Sequence, residues 1–256
     1  RRSVLAFLAT VLCSRSDEHR RMNTPPQMPR LVTPEALDSL GADDPAAQRS
    51  RRDLRRLHIA MGTLSIMTRA IVAEPNRAPL RILELGAGDG SLALRFAHKH
   101  ARRWPRVSWT LLDRQDTVAE PTLHGLRAVG WQPIIIVADV FDWLSRNQQC
   151  GWDIVVANLF IHHFEGDELG HLLRVLSKVT PLFFCCEPRR NITALIGSHL
   201  VGLIGAGTVT RKDAVLSVHA GFRDCELSAH WPSHEGWLLR EYRAGLFSHC
   251  LLARKT

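Results

Sequence analysis

The sequence predicts an α/β protein, doubly wound around a mostly parallel sheet with helices on both faces. Three observations predict it. Short apolar runs at residues 80–85, 107–112, 133–137, 153–157 and 182–186 alternate with stretches of helical periodicity. The runs are apolar at nearly every position, which suits strands buried on both faces rather than half-exposed ones. Several close on a polar residue at the carboxyl end, where an open parallel sheet binds its ligands. At 256 residues the chain is long enough for one large domain of this kind with appendages.

Composition narrows the function classes. Apolar residues make up 45% and charged residues 23%, which argues against a disordered chain. No apolar run approaches the ~20 residues of a membrane span, so no membrane partner is expected. The net charge is +8, of which residues 1–21 hold a surplus of three. The charge on the remainder is modest, so a nucleic-acid partner is not expected either. Cys13, Cys150, Cys185, Cys186, Cys225 and Cys250 form no C-x-x-C pair and no zinc spacing with histidine. No metal is therefore expected; Cys185 and Cys186, in an apolar strand-like run, read as small buried apolar residues, and the cysteine pattern suits a reducing, cytoplasmic compartment.

Residues 1–30 read as a poorly ordered extension. Arg1-Arg2 and the apolar stretch Val4–Leu12 have a signal-peptide look but no clean cleavage site. Met22, just before the proline-rich stretch of residues 25–29, is the expected natural start. Residues 31–75 read as a helical cap. Thr33-Pro34-Glu35 opens a short helix that ends near Gly41. A long helix is expected from Asp44-Pro45 to about Ala73, with Leu54, Leu57, Met61, Leu64, Met67 and Ile71 stepping by three or four. Arg49, Arg51, Arg52, Arg55 and Arg56 crowd its first half and read as a solvated face, with an RNA- or lipid-facing stripe as the alternative. Pro75 and Pro79 break it.

Residues 76–256 form the expected main domain. Helices are expected from Ser91 to about His100, over residues 121–129, and from Asp167 to Val179, where Leu169, Leu172, Leu173 and Leu176 share one face. Residues 191–213 are helical in tendency but contain Gly197, Gly202, Gly205 and Gly207, and read as a lid-like insertion. Two last strands are expected at residues 223–228 and 247–253, joined by a long loop through Trp231-Pro232 and Gly236 as an antiparallel hairpin.

Chemistry should gather at the strand ends. Strand one runs into Glu84-Leu-Gly86-Ala87-Gly88-Asp89-Gly90, whose glycines let the backbone turn tightly and approach a ligand. The following helix presents free N–H groups to the same spot. A dinucleotide fingerprint would need its third glycine at position 91, which is Ser91. Asp113, Asp139 and Asn158 close strands two, three and four. A carboxylate at Asp113 can accept from both hydroxyls of a ribose.

The set Glu84–Gly90, Leu112-Asp113, Ala138-Asp139-Val140 and Asp153–Asn158, in that order, resembles the class I S-adenosylmethionine (SAM)-dependent methyltransferases. The resemblance covers roughly residues 50–256. It implies a seven-stranded sheet with an antiparallel last strand, SAM as cofactor and S-adenosylhomocysteine (SAH) as product. It implies Glu84, Gly86, Ala87, Gly88, Gly90, Asp113, Arg114, Asp139, Val140, Asn158 and Leu159 as cofactor-binding residues. Where enzymes of this family that methylate adenine or glutamine carry Asn/Asp-Pro-Pro-Tyr/Phe, this chain has Asn158-Leu-Phe-Ile161, so that class is disfavoured. His162-His163 resemble the histidines of the small-molecule branch, and either is a candidate catalytic base. His58, Met61, Glu187 and Arg189 are candidates for lining an acceptor site. The expected activity is methyl transfer to a small organic acceptor, such as a hydroxyl of an aromatic or polyketide-like compound. RNA or protein methylation, and a non-catalytic SAM-fold binding protein, are the alternatives.

Overall fold

The computed structural model describes residues 28–73 and 79–256. Its centre is a seven-stranded sheet in the order β3-β2-β1-β4-β5-β7-β6. The strands are β1 Arg81–Leu85, β2 Ser108–Asp113, β3 Gln132–Val137, β4 Ile154–Asn158, β5 Leu182–Pro188, β6 Trp237–Ala244 and β7 Ser248–Lys255. The first five are parallel; β7 runs antiparallel to both β5 and β6. The expected doubly wound fold with antiparallel closing strands is thus observed.

Side chains alternate across the sheet as a pleat requires. Ile82, Ile154, Val156, Phe184 and Cys186 join the core under helices Thr63–Ile71, Ser91–His100 and Glu120–Ala128. Leu83, Leu85, Val155, Phe183 and Cys185 join the opposite core under helices Val140–Arg146 and Gly166–Val179. The strands are nearly continuous in apolar character because each face has its own core. Chain order reverses between β1 and β4, which are neighbours in the sheet. The crevice beyond their carboxyl ends is the switch point at which open α/β sheets bind ligands.

Several expectations are corrected. The long helix is two, Pro45–Ala60 and Thr63–Ile71, broken at Gly62, whose φ of +68° cannot continue a right-handed helix. The first short helix spans Ala36–Ser39, with Glu35 rather than Thr33 at its cap position. Residues 140–146, to which no element had been assigned, form a helix capped by Asp139. Residues 223–228 are not a strand. Glu226–Ala229 is one helical turn, because the buried Glu241 carboxylate accepts from the Leu227 and Ser228 amides at 3.0 and 2.7 Å. The penultimate strand is β6, and only residues 245–247 separate it from β7.

Residues 28–30, expected to be loose, are tied down. The Met28 carbonyl accepts from Arg190, and the Arg30 guanidinium donates to Ala220, His162 and Phe164 carbonyls while lying 4.3 Å from the Phe222 ring centroid. The signal-like stretch, Met22 and Pro75 lie outside the described residues.

Candidate functional site

The turn after β1 is held by its neighbours in the sheet. Gly86 and Ala87 donate to the Leu112 carbonyl at 2.9 and 3.1 Å. The Asp113 carboxylate, at the end of β2, accepts from Gly88 N–H at 2.9 Å and from Gln115 N–H at 3.0 Å. Gly86 has φ +65°, and a Cβ there would lie 2.4 Å from the Phe160 ring. Gly88 has φ +54°, and its missing Cβ would meet no atom within 4 Å. The first glycine is demanded by packing; the second leaves room beside the strand ends. Arg114 is exposed.

The crevice is closed from above by the helix Pro45–Ala60. Arg51, Arg55 and His58 form one stripe of it. They reach Gln115 at 2.5 Å, Asp89 at 2.9 Å and Asn158 at 3.0 Å. The cluster around Arg49–Arg56 was expected mainly as a solvated face; the structure makes Arg51 and Arg55 clamps on the glycine turn and its flank. Their acidic and amide partners lie far away in sequence, so spacing carried no signal. Met61 sits at the helix end, half-buried, beside the Gly62 break.

Asn158 closes β4 opposite the glycine turn. Its amide donates to Nε2 of His58, while its Oδ1 is buried with no hydrogen-bond partner among the described residues. Burial drives His58 down to about 4, so its ring is neutral at physiological pH and can accept that bond. Leu159, next in the chain, has φ +52°. A non-glycine residue in that region is strained, and such strain gathers at functional sites. Glu84 is buried and accepts from Trp109 Nε1 at 2.9 Å. Burial raises it to about 8, with Asp89 and Asp113 adding to the rise. It is mainly a neutral acid at pH 7 unless a cation arrives beside it.

Asp139 accepts from Phe141 and Asp142 amides through the same oxygen, Oδ1, and is exposed. Val140 is 5% exposed and packs in the core, so its side chain faces the protein interior. Phe141 and Phe160 each meet Phe164 edge-on, at 5.4 and 5.2 Å.

The two histidines lie in the short 3-10 turn Ile161–His163 and differ sharply. His162 is buried, with Nδ1 2.8 Å from Glu187 and Nε2 3.3 Å from Glu35. Burial opposes its protonation, but the two carboxylates outweigh it and raise the ring to about 9. Both nitrogens of that imidazolium are spent on carboxylates. Glu187 is wholly buried and also accepts from the Phe160, Ile161 and His162 amides. Its contacts are with this turn. The His163 ring lies tilted against that of His162, with centroids 4.3 Å apart, stays partly exposed, and lies 3.4 Å from Asp38. Burial and the neighbouring His162 lower it. Ligand atoms of Glu35, His162 and His163 fall within 4.8 Å of one another, although no metal was expected from the sequence. Arg189 is half-buried just past β5, and burial followed by Arg243 lowers it. Sequence reading missed Glu35, which accepts from His162 and from Ser217.

No family model matches the chain, and no curated protein matches it in sequence. Solved structures do. The plantazolicin methyltransferase BpumL, in complex with a triazolic desmethylPZN analog and SAH, aligns over 83% of this chain and 92% of its own at 13% identity and TM-score 0.60. An O-methyltransferase family protein from Burkholderia thailandensis aligns over 84% and 61%, at 15% identity and TM-score 0.56. Magnesium protoporphyrin IX methyltransferase from Synechocystis, with bound SAH, aligns over 80% and 86%, at 17% identity and TM-score 0.52. At these identities the likeness concerns architecture, and with the strand order above it establishes that the chain has the class I SAM-dependent methyltransferase fold.

Proposed function

We propose that the chain is a SAM-dependent methyltransferase acting on a small organic acceptor, a hydroxyl of an aromatic or polyketide-like compound. The observation that carries the reading is the pairing across the β1–β4 switch point. A glycine turn pinned by Asp113 faces Asn158, whose buried Oδ1 lacks a partner among the described residues. An orphaned buried acceptor costs about 1–3 kcal/mol, so it implies a donor that arrives with a ligand. The open space at Gly88 and the neutral, cation-ready Glu84 fit the same ligand. Two of the solved structures described above, the plantazolicin and magnesium protoporphyrin IX methyltransferases, hold SAH, which supports the cofactor class. Bound SAM would supply the electrophilic methyl group.

The residues then divide by task. Glu84, Asn158 and the turn of Gly86, Ala87, Gly88 and Gly90 receive the charged amino-acid end. Asp113 receives the ribose and Asp139, through its uncommitted oxygen, the adenine edge. Leu159 and Phe160 hold the strand end against the turn. His58, neutral and on the covering helix, lines the acceptor side. His162 is a positioning residue: with both nitrogens committed it takes no proton from an acceptor. Rate then comes from holding the two reactants in line, with His163 as the histidine whose ring stays partly open.

Calorimetry with SAH tests the cofactor reading; no binding would sink it. Transfer of a labelled methyl group to a panel of phenols, RNA and protein tests the acceptor. Label in RNA or protein alone would overturn the small-molecule reading. Glu84 adds a pH signature. A cationic ligand beside it lowers its pKa, so binding expels a proton and affinity rises with pH up to about 8. Calorimetry of SAM binding at neutral pH in buffers of differing ionisation enthalpy should show that release, and Glu84→Gln should abolish it. Buffer-independent heats in the unmodified protein would remove Glu84 from the cation's surroundings.

A further inference from the structure

The helix Ile192–Leu200 is built inside out. Ala194 and Ser198, both small, face the protein, and Gly197 is so close to Phe247 that a Cβ would lie 2.6 Å from its ring. Ile192, Ile196 and Leu200, and then Leu203 in the 3-10 turn Val201–Ile204, step by three or four along the outside. Leu203 is 82% exposed and Ile192 69%. A surface helix ordinarily turns its large apolar residues inward. A contiguous exposed ridge of them marks an interaction face.

Beside this ridge lies the outer stripe of the helix Pro45–Ala60. Arg49, Arg52 and Arg56 share an open cleft of about 610 Å³ with Leu203 and Ile204. Arg56 pairs with the buried Asp53 at 3.1 Å, and Arg49 reaches the Gly205 carbonyl at 3.5 Å. Arg52 is exposed and has no ion pair among the described residues. These three point away from the crevice that Arg51, Arg55 and His58 close.

We propose that the 192–204 ridge and the Arg49, Arg52 and Arg56 stripe form a peripheral docking face for an anionic lipid bilayer. The aliphatic side chains enter the boundary between headgroups and acyl chains, and the guanidiniums meet anionic headgroups. Charge complementarity selects this occupant. A nucleic acid would use the arginines but has no use for four aliphatic residues, and the ridge offers no Phe, Tyr or Trp for stacking. A second copy across a two-fold axis would set the arginines against themselves. The expectation of no membrane partner rested on the lack of a spanning segment, which such a face does not need. The proposal holds whether or not the chain transfers methyl groups.

Co-sedimentation with vesicles tests it. The protein should sediment with phosphatidylcholine–phosphatidylglycerol vesicles at low salt, far less with phosphatidylcholine alone, and be released by high salt. The triple variant Arg49→Gln, Arg52→Gln, Arg56→Gln should partition on the order of 100-fold more weakly. Leu203→Asp should lose roughly tenfold or more. Circular dichroism of both variants should match the parent, since the altered side chains are exposed. No partition into anionic vesicles, or partition unaffected by either variant, would overturn the proposal. So would RNA binding that the arginine variant abolishes and Leu203→Asp leaves intact, or a dimer that Leu203→Asp dissolves.

Discussion

His162→Ala is expected to destabilise the protein by about 3–5 kcal/mol, as removing one member of a buried charge pair does. The imidazolium sits between Glu187 at 2.8 Å and Glu35 at 3.3 Å, and its loss strands both carboxylates. Urea or thermal unfolding reads the effect. The pH dependence gives a second signature. The folded-state value of His162, about 9, lies above the ordinary ~6.5 of an unfolded chain. Its contribution is fully present below pH ~6.5 and is lost as pH rises through 9. Glu35 works from the other side. Burial opposes its ionisation, but His162 and His163 outweigh that and lower it, so its contribution fades as pH falls in the acid range. The unmodified protein should therefore lose stability between neutral pH and pH ~9, and His162→Ala should lose less, keeping only the fall that Glu84, raised by burial to about 8, brings as pH approaches that value. A variant as stable as its parent but devoid of turnover would return His162 to the role of base.

The second large effect concerns the ligand. Asp113→Ala should weaken SAH binding by about 2–3 kcal/mol, or roughly 30- to 150-fold. Two losses combine. The carboxylate no longer pins Gly88 and Gln115, and the charge-assisted bonds proposed to the ribose disappear. Asp113→Asn should fall between the two, since its amide oxygen can still accept from Gly88. Unchanged affinity in the alanine variant would mean that the nucleoside does not lie at the end of β2.

Much of this site was legible before folding. Glu84, the glycine turn, Asp113, Asp139 and Asn158 were named as strand-end groups, and the structure puts each at a strand end. The signal was local: an apolar run that stops on a charge or a glycine marks where the strand leaves the core. Strand β6 carried no such signal. It is an edge strand, half open to solvent, and Arg240, Glu241 and Arg243 dilute its apolar character. The broken cap helix was missed for a different reason, since apolar spacing continues across Gly62 and only its positive φ ends the helix.

The histidines mark the boundary. Their position at the end of β4 could be read from residue order. Their chemistry could not, because an imidazole's charge depends on what touches each nitrogen, and Glu35 lies 127 residues from His162. The pairing of His58 with Asn158 spans 100 residues and was equally invisible. The Gly86–Gly90 turn, the five parallel strands and the polar groups at their ends follow from sequence because each is set by neighbours along the chain. The carboxylate clamp on His162, the arginine lock over Asp89 and the outward apolar face of residues 192–204 belong to the folded protein alone. Each is made by groups from distant elements, which meet only when the sheet brings them together.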